Sequence, residues 1–349
     1  MPALPPRLGV VVVSFDTSED LLDCLESLLA AAGVRLDIVV VDNASQDGTP
    51  DLLRDWAAGR LDWHPPEALP FAMTPVPKPV PLHPSLPADE PGGHRIVLIE
   101  APVNGGYAGG VNLGLAALAA DPGLERFWVL NPDSVVPPET PRAFATAPVA
   151  PGGFSLMAGR VLYLDPPDQI QIDGGTITRW SGVTNNLGLG QPHPATPPPA
   201  ASAFDFVTGA SMIASRDFYD AAGPMTEDYF LYYEEVDWAL RRGDLPLAYC
   251  ADCVVYHKAG TAIGSPTLDR PASPFSQYFK HRARLRFVRR HLPWSLPTAL
   301  AYSLAKAAQL RLKGYPAEAR AVLDGSFGRP PAAEIRERLS PDAQALAFR

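Results

Sequence analysis

Two stretches, Gly9-Val-Val-Val-Val-Ser-Phe-Asp16 and Asp37-Ile-Val-Val-Val-Asp-Asn43, decide the fold. Each is an unbroken β-branched run that turns polar at its carboxyl end. A strand with one wet face would alternate apolar and polar residues. A continuous run indicates a strand buried on both faces, as in a parallel sheet covered by helices. Between the runs, Thr17 and Ser18 precede Glu19 and Asp20, a helix-start pattern. Leu21, Leu22, Leu25, Leu28 and Leu29 follow at helical spacing, and Gly33 closes the element. Working outward, residues 52–58 read as a helix, 96–99 as a third strand, 111–120 as a helix and 127–130 as a fourth strand. Asn131-Pro132-Asp133 ends the fourth strand. The order β-α-β-α-β-α-β predicts an α/β protein with a mostly parallel sheet.

The chain has 349 residues, of which 46% are hydrophobic and 19% charged, enough for a substantial core. Residues 61–94 hold ten prolines and so cannot form a helix or a central strand; a loop or extended excursion is expected. Three cysteines (Cys24, Cys250, Cys253) are too few for a disulfide framework, and reduced, buried thiols in a cytoplasmic protein are the expectation. Neither a secretory leader nor an apolar run near the length of a membrane-spanning helix is present. The net charge is −9, yet Arg270 to Ala317 holds ten Lys or Arg and no acid, which leaves −19 for the remainder. Such an acidic body repels nucleic acid. The basic segment points instead to a diphosphate, to an anionic membrane met peripherally at its inner face, or to both. Residues 296–312 read as an amphipathic basic helix that could lie on a bilayer.

In open α/β sheets, ligands bind beyond the carboxyl ends of the strands. Polar residues stand at those ends here: Ser14 and Asp16, Asp42 and Asn43, Asn131 and Asp133. Any one of these could be an ordinary turn; three on one sheet edge indicate a shared site. The glycine-rich Asn104 to Gly110 opens a helix, where backbone can approach an anion. It matches no dinucleotide fingerprint, since that would follow the first strand. Glu234, Glu235 and Asp237 crowd one predicted helix start among aromatic residues.

The ordered set SFDT (14–17), VDNASQDGT (41–49), NGGYAGGVNLG (104–114), LNPDS (130–134), TGASM (208–212), YYEEVDW (232–238) and HKAG (257–260) resembles family-2 glycosyltransferases, particularly a rhamnosyltransferase-like branch. The resemblance spans about residues 8–292. It implies an A-type glycosyltransferase fold over residues 1–262, carrying the proline-rich insertion, and a basic helical region over 263–349 that packs on it. It also implies an inverting transfer from a nucleotide-sugar donor to a glycan or lipid-linked acceptor in surface polysaccharide synthesis. A divalent metal, Mg2+ or Mn2+, would assist.

Carried over by position, Asp16 and Asp42 would surround the base and ribose, with Ser14 and Asn43 at the same strand ends. Asn104, Gly106 and Asn112 would line the donor pocket. Asp133 matches the metal-binding acid, Asn131 replaces the first acid of that motif, and His257 matches a metal or diphosphate ligand. Glu235 falls where the family has an aspartate base, one methylene longer, with Asp237 in reserve. Arg282 is the arginine expected to meet phosphate. A nucleotidyltransferase would need a glycine-rich, arginine-bearing loop after the first strand, which is absent. A catalytically degenerate sugar-nucleotide or glycan binder is the remaining alternative, and mutation of Glu235 separates it from an enzyme.

Overall fold

The valine runs form the two central strands, and their side chains divide between the faces by parity. In the computed structural model, which describes residues 5–66, 68–86, 93–258 and 271–349, Val11, Val13, Val39 and Val41 enter one apolar core. Val10, Val12, Ile38 and Val40 enter the core on the opposite face. Each such side chain fully removed from water contributes roughly 1.5–3 kcal/mol, which is why the runs are continuous.

The first half runs β1 (Arg7–Ser14), α1 (Ser18–Leu29), β2 (Arg35–Asp42), α2 (Thr49–Ala57), β3 (Leu82–His83), β4 (Arg95–Glu100), α3 (Gly106–Ala119) and β5 (Arg126–Leu130). Then come β6 (Ser134–Val135), α4 (Thr140–Thr146), β7 (Leu156–Tyr163), β8 (Ile170–Ile172), β9 (Gly174–Thr178), β10 (Val183–Leu187), β11 (Ser211–Ser215), α5 (Arg216–Ala222), α6 (Glu234–Leu240) and β12 (Ala248–His257). Among the described residues, α7 (Pro274–His291), α8 (Leu296–Leu312), α9 (Pro316–Ser326), α10 (Ala333–Arg336) and α11 (Pro341–Ala347) follow.

The main sheet has ten strands in the order β3-β4-β2-β1-β5-β11-β7-β12-β6, with β8 beside β7. Strands β3, β4, β2, β1 and β5 are parallel. Strand β11 enters antiparallel to both β5 and β7. The chain moves outward from β1 to β2 and β4, then returns to lay β5 on the other side of β1. That reversal opens a crevice at the carboxyl ends of β1 and β5. Helix α3 crosses this half at close range: a Cβ on Gly114 would stand 2.4 Å from Val11.

The proline-rich excursion straps the outside of α1 and α2. Trp63 Nε1 donates to Asp23 (3.0 Å), and Val76 N and Lys78 Nζ donate to the buried Glu26 (2.8 and 2.6 Å). Among its described residues the strand pairing is the short edge strand β3, a place where proline is tolerated. The C-terminal helices make two further apolar clusters, one of which joins α7, α9, α10 and α11 to Phe230. The 262–263 boundary and Ala259-Gly260 of the HKAG motif lie outside the described residues.

The expectation of reduced cysteines is corrected. Cys250 and Cys253 form a disulfide with Cα atoms 5.5 Å apart, an ordinary span for the bond. The register shift between Tyr249 and Val254 brings the two residues together. Cys24 is free and buried.

Candidate active site

Strand register builds the first part of the site. His257 pairs with Ser134 across β12 and β6, so Asp133 stands beside the imidazole. His257 Nε2 lies 3.0 Å from Asp133 Oδ1 and 3.2 Å from Asn131 Nδ2. On the other side of the ring, Nδ1 is 2.7 Å from Gln171 Oε1. An amide oxygen there holds a proton on Nδ1. That leaves Nε2 turned toward the Asp133 carboxylate, with which it can share a proton or a cation. Oxygen and imidazole donors suit a divalent ion. Among the described residues no group of three or more His, Cys, Asp or Glu could hold a metal. Any ion here would therefore take its remaining ligands from a bound molecule and water.

The strand ends form a second, hydrogen-bonded layer. Asn43 Nδ2 donates to Asn104 Oδ1 (3.1 Å) and to the Gly106 carbonyl (3.0 Å), and its Oδ1 accepts from Gly105 N (3.1 Å). Ser14 Oγ lies 2.9 Å from Thr17 Oγ1. Asp16, exposed, accepts from Gln46 N (2.7 Å), while its own N–H donates to Ser45 Oγ (3.1 Å). Asp42 accepts from Ser45 N (3.2 Å) through Oδ2, but its Oδ1 is buried with no hydrogen-bond partner. Burial raises the Asp42 carboxyl above its ordinary range.

The third element is the loop before α6. Phe230, Tyr232 and Tyr233 have φ of 65, 70 and 71°. Asp16 and Ala44, at the ends of β1 and β2, are also left-handed. Among the described residues these five are all the non-glycine cases, and they fall at the ends of β1 and β2 and in the loop before α6. Such strain persists only where surrounding structure enforces it, and it clusters at functional sites. Here Tyr107 N donates to the Phe230 carbonyl (2.8 Å). Gly106 permits that contact, since a Cβ on it would stand 2.2 Å from the same oxygen.

The loop delivers Glu234 and Glu235 to the N-terminus of α6. Glu234 is buried, and its Oε2 has no hydrogen-bond partner. Burial lifts Glu234 well above the carboxylate range, and the charge of Glu235 adds to the effect. Glu235 is half-buried. Burial raises its carboxyl to about 7, opposed by the main-chain N–H groups of the helix start and by the Lys280 ammonium on α7. The Tyr107 hydroxyl donates to the Gly209 carbonyl (2.6 Å) and feels the charges of Glu234, Glu235 and Asp133. Tyr107 thus lies within electrostatic reach of all three carboxylates.

Three expectations are corrected. Asp237 does not reach the crevice. Its fully buried carboxylate accepts from Thr226, Tyr229, Arg241, Arg290 and His291 at 2.7 to 3.3 Å, which holds it well below the ordinary carboxylate range despite burial. Asn112 clamps α3 to a neighbouring loop through the Met225 main chain (2.9 and 2.8 Å) and Glu227 Oε1 (2.8 Å), so its amide is committed within the protein. Arg282 lies on the far side of α7, donating to the Ala347 and Arg349 main-chain oxygens. Sequence reasoning missed Gln171, Tyr107 and Lys280. Nothing local marks Gln171 or Lys280, whereas Tyr107 sits inside the glycine-rich motif and could have been singled out.

The sequence profile described as Glycosyl transferase family 2 matches residues 9–65. The low-salt glycan biosynthesis hexosyltransferase Agl10 of Haloferax volcanii is 24% identical over 247 residues, covering 70% of this chain and 64% of the relative. This chain therefore spans under two thirds of that relative. Among solved structures, the mannosyltransferase PcManGT from Pyrobaculum calidifontis, in complex with GDP-Man and Mn2+, matches with a TM-score of 0.50 at 16% identity, covering 93% of this chain and 87% of that one. GalNAc-T7 with UDP, GalNAc and Mn2+ also matches with a TM-score of 0.50, at 12% identity, covering 82% of this chain and 48% of that one. These likenesses establish the A-type glycosyltransferase fold with added C-terminal helices. The profile match and the relative support a family-2 glycosyltransferase.

Proposed function

We propose that this protein is an inverting glycosyltransferase, moving a sugar from a nucleoside diphosphate to a hydroxyl of a surface polysaccharide or lipid-linked glycan. What supports the reading is that Glu235 and Asp133, the latter beside His257, both act electrostatically on Tyr107. Inversion in one step needs a carboxylate that takes the acceptor hydroxyl's proton as its oxygen attacks the anomeric carbon. A base works best with a pKa near the working pH, and burial brings Glu235 to about 7.

The leaving diphosphate needs its growing charge offset. Asp133 and His257 would hold a divalent ion, Mg2+ or Mn2+, whose chemistry when bound is that of a Lewis acid for the diphosphate. The buried, unpartnered Asp42 Oδ1 suits the hydroxyl of a ribose. The Asn43–Asn104–Gly106 network fixes the loop that would pass beneath the phosphates. The motif order of the rhamnosyltransferase-like branch favours L-rhamnose from a deoxythymidine donor.

The acceptor side faces a membrane in this reading. Among the described residues no helix is long and apolar enough to cross one. Yet α8 presents Leu304 and Leu312 outward, with Trp294 just before it, at 52, 89 and 95% exposure. Exposed Arg311 and Lys313 flank this stripe. We propose that it lies on an anionic bilayer surface. Sedimentation with phosphatidylglycerol vesicles should retain the wild type, and Trp294→Ser/Leu312→Ser should remain in the supernatant.

The central test is calorimetric binding of dTDP, UDP and GDP, with and without Mn2+, to wild type and to Asp133→Ala. Metal-dependent binding of one nucleotide, weakened in the variant, supports the reading. Absence of binding under every condition overturns it in favour of a degenerate relative.

A further inference from the structure

On the face of α7 turned away from Lys280, α7 and the C-terminal segments beyond it enclose a cavity of about 640 Å3. Its wall carries Arg282, Arg286, Arg289, Arg329, Arg336 and Arg349, and no Asp or Glu side chain lines it. Of two nearby carboxylates, Asp324 pairs with Arg320 at 3.3 Å, and Asp228 pairs with Arg290 at 3.0 Å while its charge also reaches Arg282 and Arg286. Six guanidinium groups gathered here repel one another, and the carboxyl group of Arg349 with the nearby Asp228 offsets only part of that charge, which leaves the cavity cationic.

Two details indicate what anion it suits. Arg282 and Arg286 each aim an Nη2 at the main-chain oxygen of Arg349 (2.5 and 2.6 Å), so paired forks already converge on an oxygen. Arg286 Nη1 is buried there with no hydrogen-bond partner, a donor awaiting an acceptor. Burial, with the charge of Arg286 alongside, lowers Arg282 to about 10. Planar guanidinium forks match phosphate oxygens bidentately, and the spread of arginines over three segments fits more than one phosphate. Tyr278 and Phe348 supply an apolar wall.

We propose that this cavity binds a diphosphate-bearing ligand, at a site separate from the crevice that holds Glu235. The cavity is one aromatic layer from that crevice: Phe348 stacks on Phe279 (5.7 Å between centroids), and Phe279 packs on Phe230 (5.3 Å) of the strained loop. A soluble nucleoside diphosphate and a lipid-borne diphosphate share this chemistry.

The test titrates inorganic pyrophosphate, with EDTA present, into the full chain as wild type, Asp133→Asn and Arg289→Ala/Arg336→Ala. The expected result is equal binding by wild type and Asp133→Asn. The double variant should bind at least about tenfold more weakly, the order of one lost charge-assisted contact. Arg289→Lys/Arg336→Lys, which keeps the charge and removes the forks, should lie between them and serves if the alanine variant does not fold. Asp133→Asn then distinguishes the sources. Binding of dTDP that pyrophosphate competes away identifies a soluble ligand. Retention only on vesicles carrying an isoprenoid diphosphate identifies a lipid. No pyrophosphate binding by wild type, or binding lost in Asp133→Asn and kept in both arginine variants, overturns the proposal.

Discussion

The two faces of α6 carry carboxylates two residues apart and treat them in opposite ways. On the face turned from the crevice, buried Asp237 accepts from five side chains, three of them basic, and is held ionised. Glu235 on the opposite face, and Glu234 at the helix start, meet no such set; burial dominates and raises both. The same helix N-terminus serves all three, so the helix dipole cannot be the discriminating term. What separates them is whether donors from other elements converge on the carboxylate. Asp237 thereby ties α6 to α7, whereas Glu235 is left able to take and release a proton near neutral pH.

The largest effect that could break this contrast is on turnover. Glu235→Gln should reduce nucleoside diphosphate release by about 10²–10⁴-fold, the range for losing a positioned base, and leave nucleotide affinity unchanged. Survival of turnover would move the base elsewhere.

Next in size is Asp237→Ala, expected to destabilise the fold by about 3–5 kcal/mol, because Arg241, Arg290 and His291 would lose a shared buried anion. Urea denaturation measures it. The sign with pH follows from the depressed folded pKa. The carboxylate's contribution is complete above its unfolded value, about 3.9, and is lost as pH falls below that toward the folded value. Wild type should therefore lose stability in acid across that window more steeply than Asp237→Asn.

Elements whose cause is local were legible in the sequence. The runs at 10–14 and 38–41 specify doubly buried strands by themselves, and the structure places β1 and β2 over both. The crevice followed from polar residues at the ends of those strands. The contrast on α6 was not legible, because its cause is distant. Glu-Glu-Val-Asp does not say which carboxylate Arg290 and His291 will reach from α7. For the same reason helical spacing placed Arg282 on a helix but not on a side of it. Gln171 behind His257 depends on β8 lying beside β7, a pairing that no short pattern announces.

The pH profile sharpens the contrast further. With Glu235 as base, kcat/KM should rise with pH on a limb centred near 7, since the free enzyme must first lose that proton. A limb near 4 would mean that a bound molecule or the open crevice solvates the carboxylate as well as bulk water does.

The smallest predicted effect tests Lys280, a cation whose charge acts on Glu235. Lys280 stands on α7, one turn beyond Ser276, which Tyr232 meets through its hydroxyl at 3.0 Å. Lys280 is exposed at the surface, with protein packed around its side chain. That enclosure lowers its pKa, and the charge of Glu235 raises it in return. Electrostatic coupling between two groups is mutual, so Lys280 must favour ionised Glu235 to the extent that Glu235 favours protonated Lys280. Lys280→Met keeps most of the side-chain volume and removes the charge, and it should move the acid limb of kcat/KM to higher pH by a fraction of a unit. At pH well above the limb, where Glu235 is ionised in both proteins, turnover should coincide. A shift to lower pH would show that Lys280 does not act on Glu235. An equal loss of rate at every pH would instead assign the ammonium to the substrate, so that both faces of α7 would meet anions.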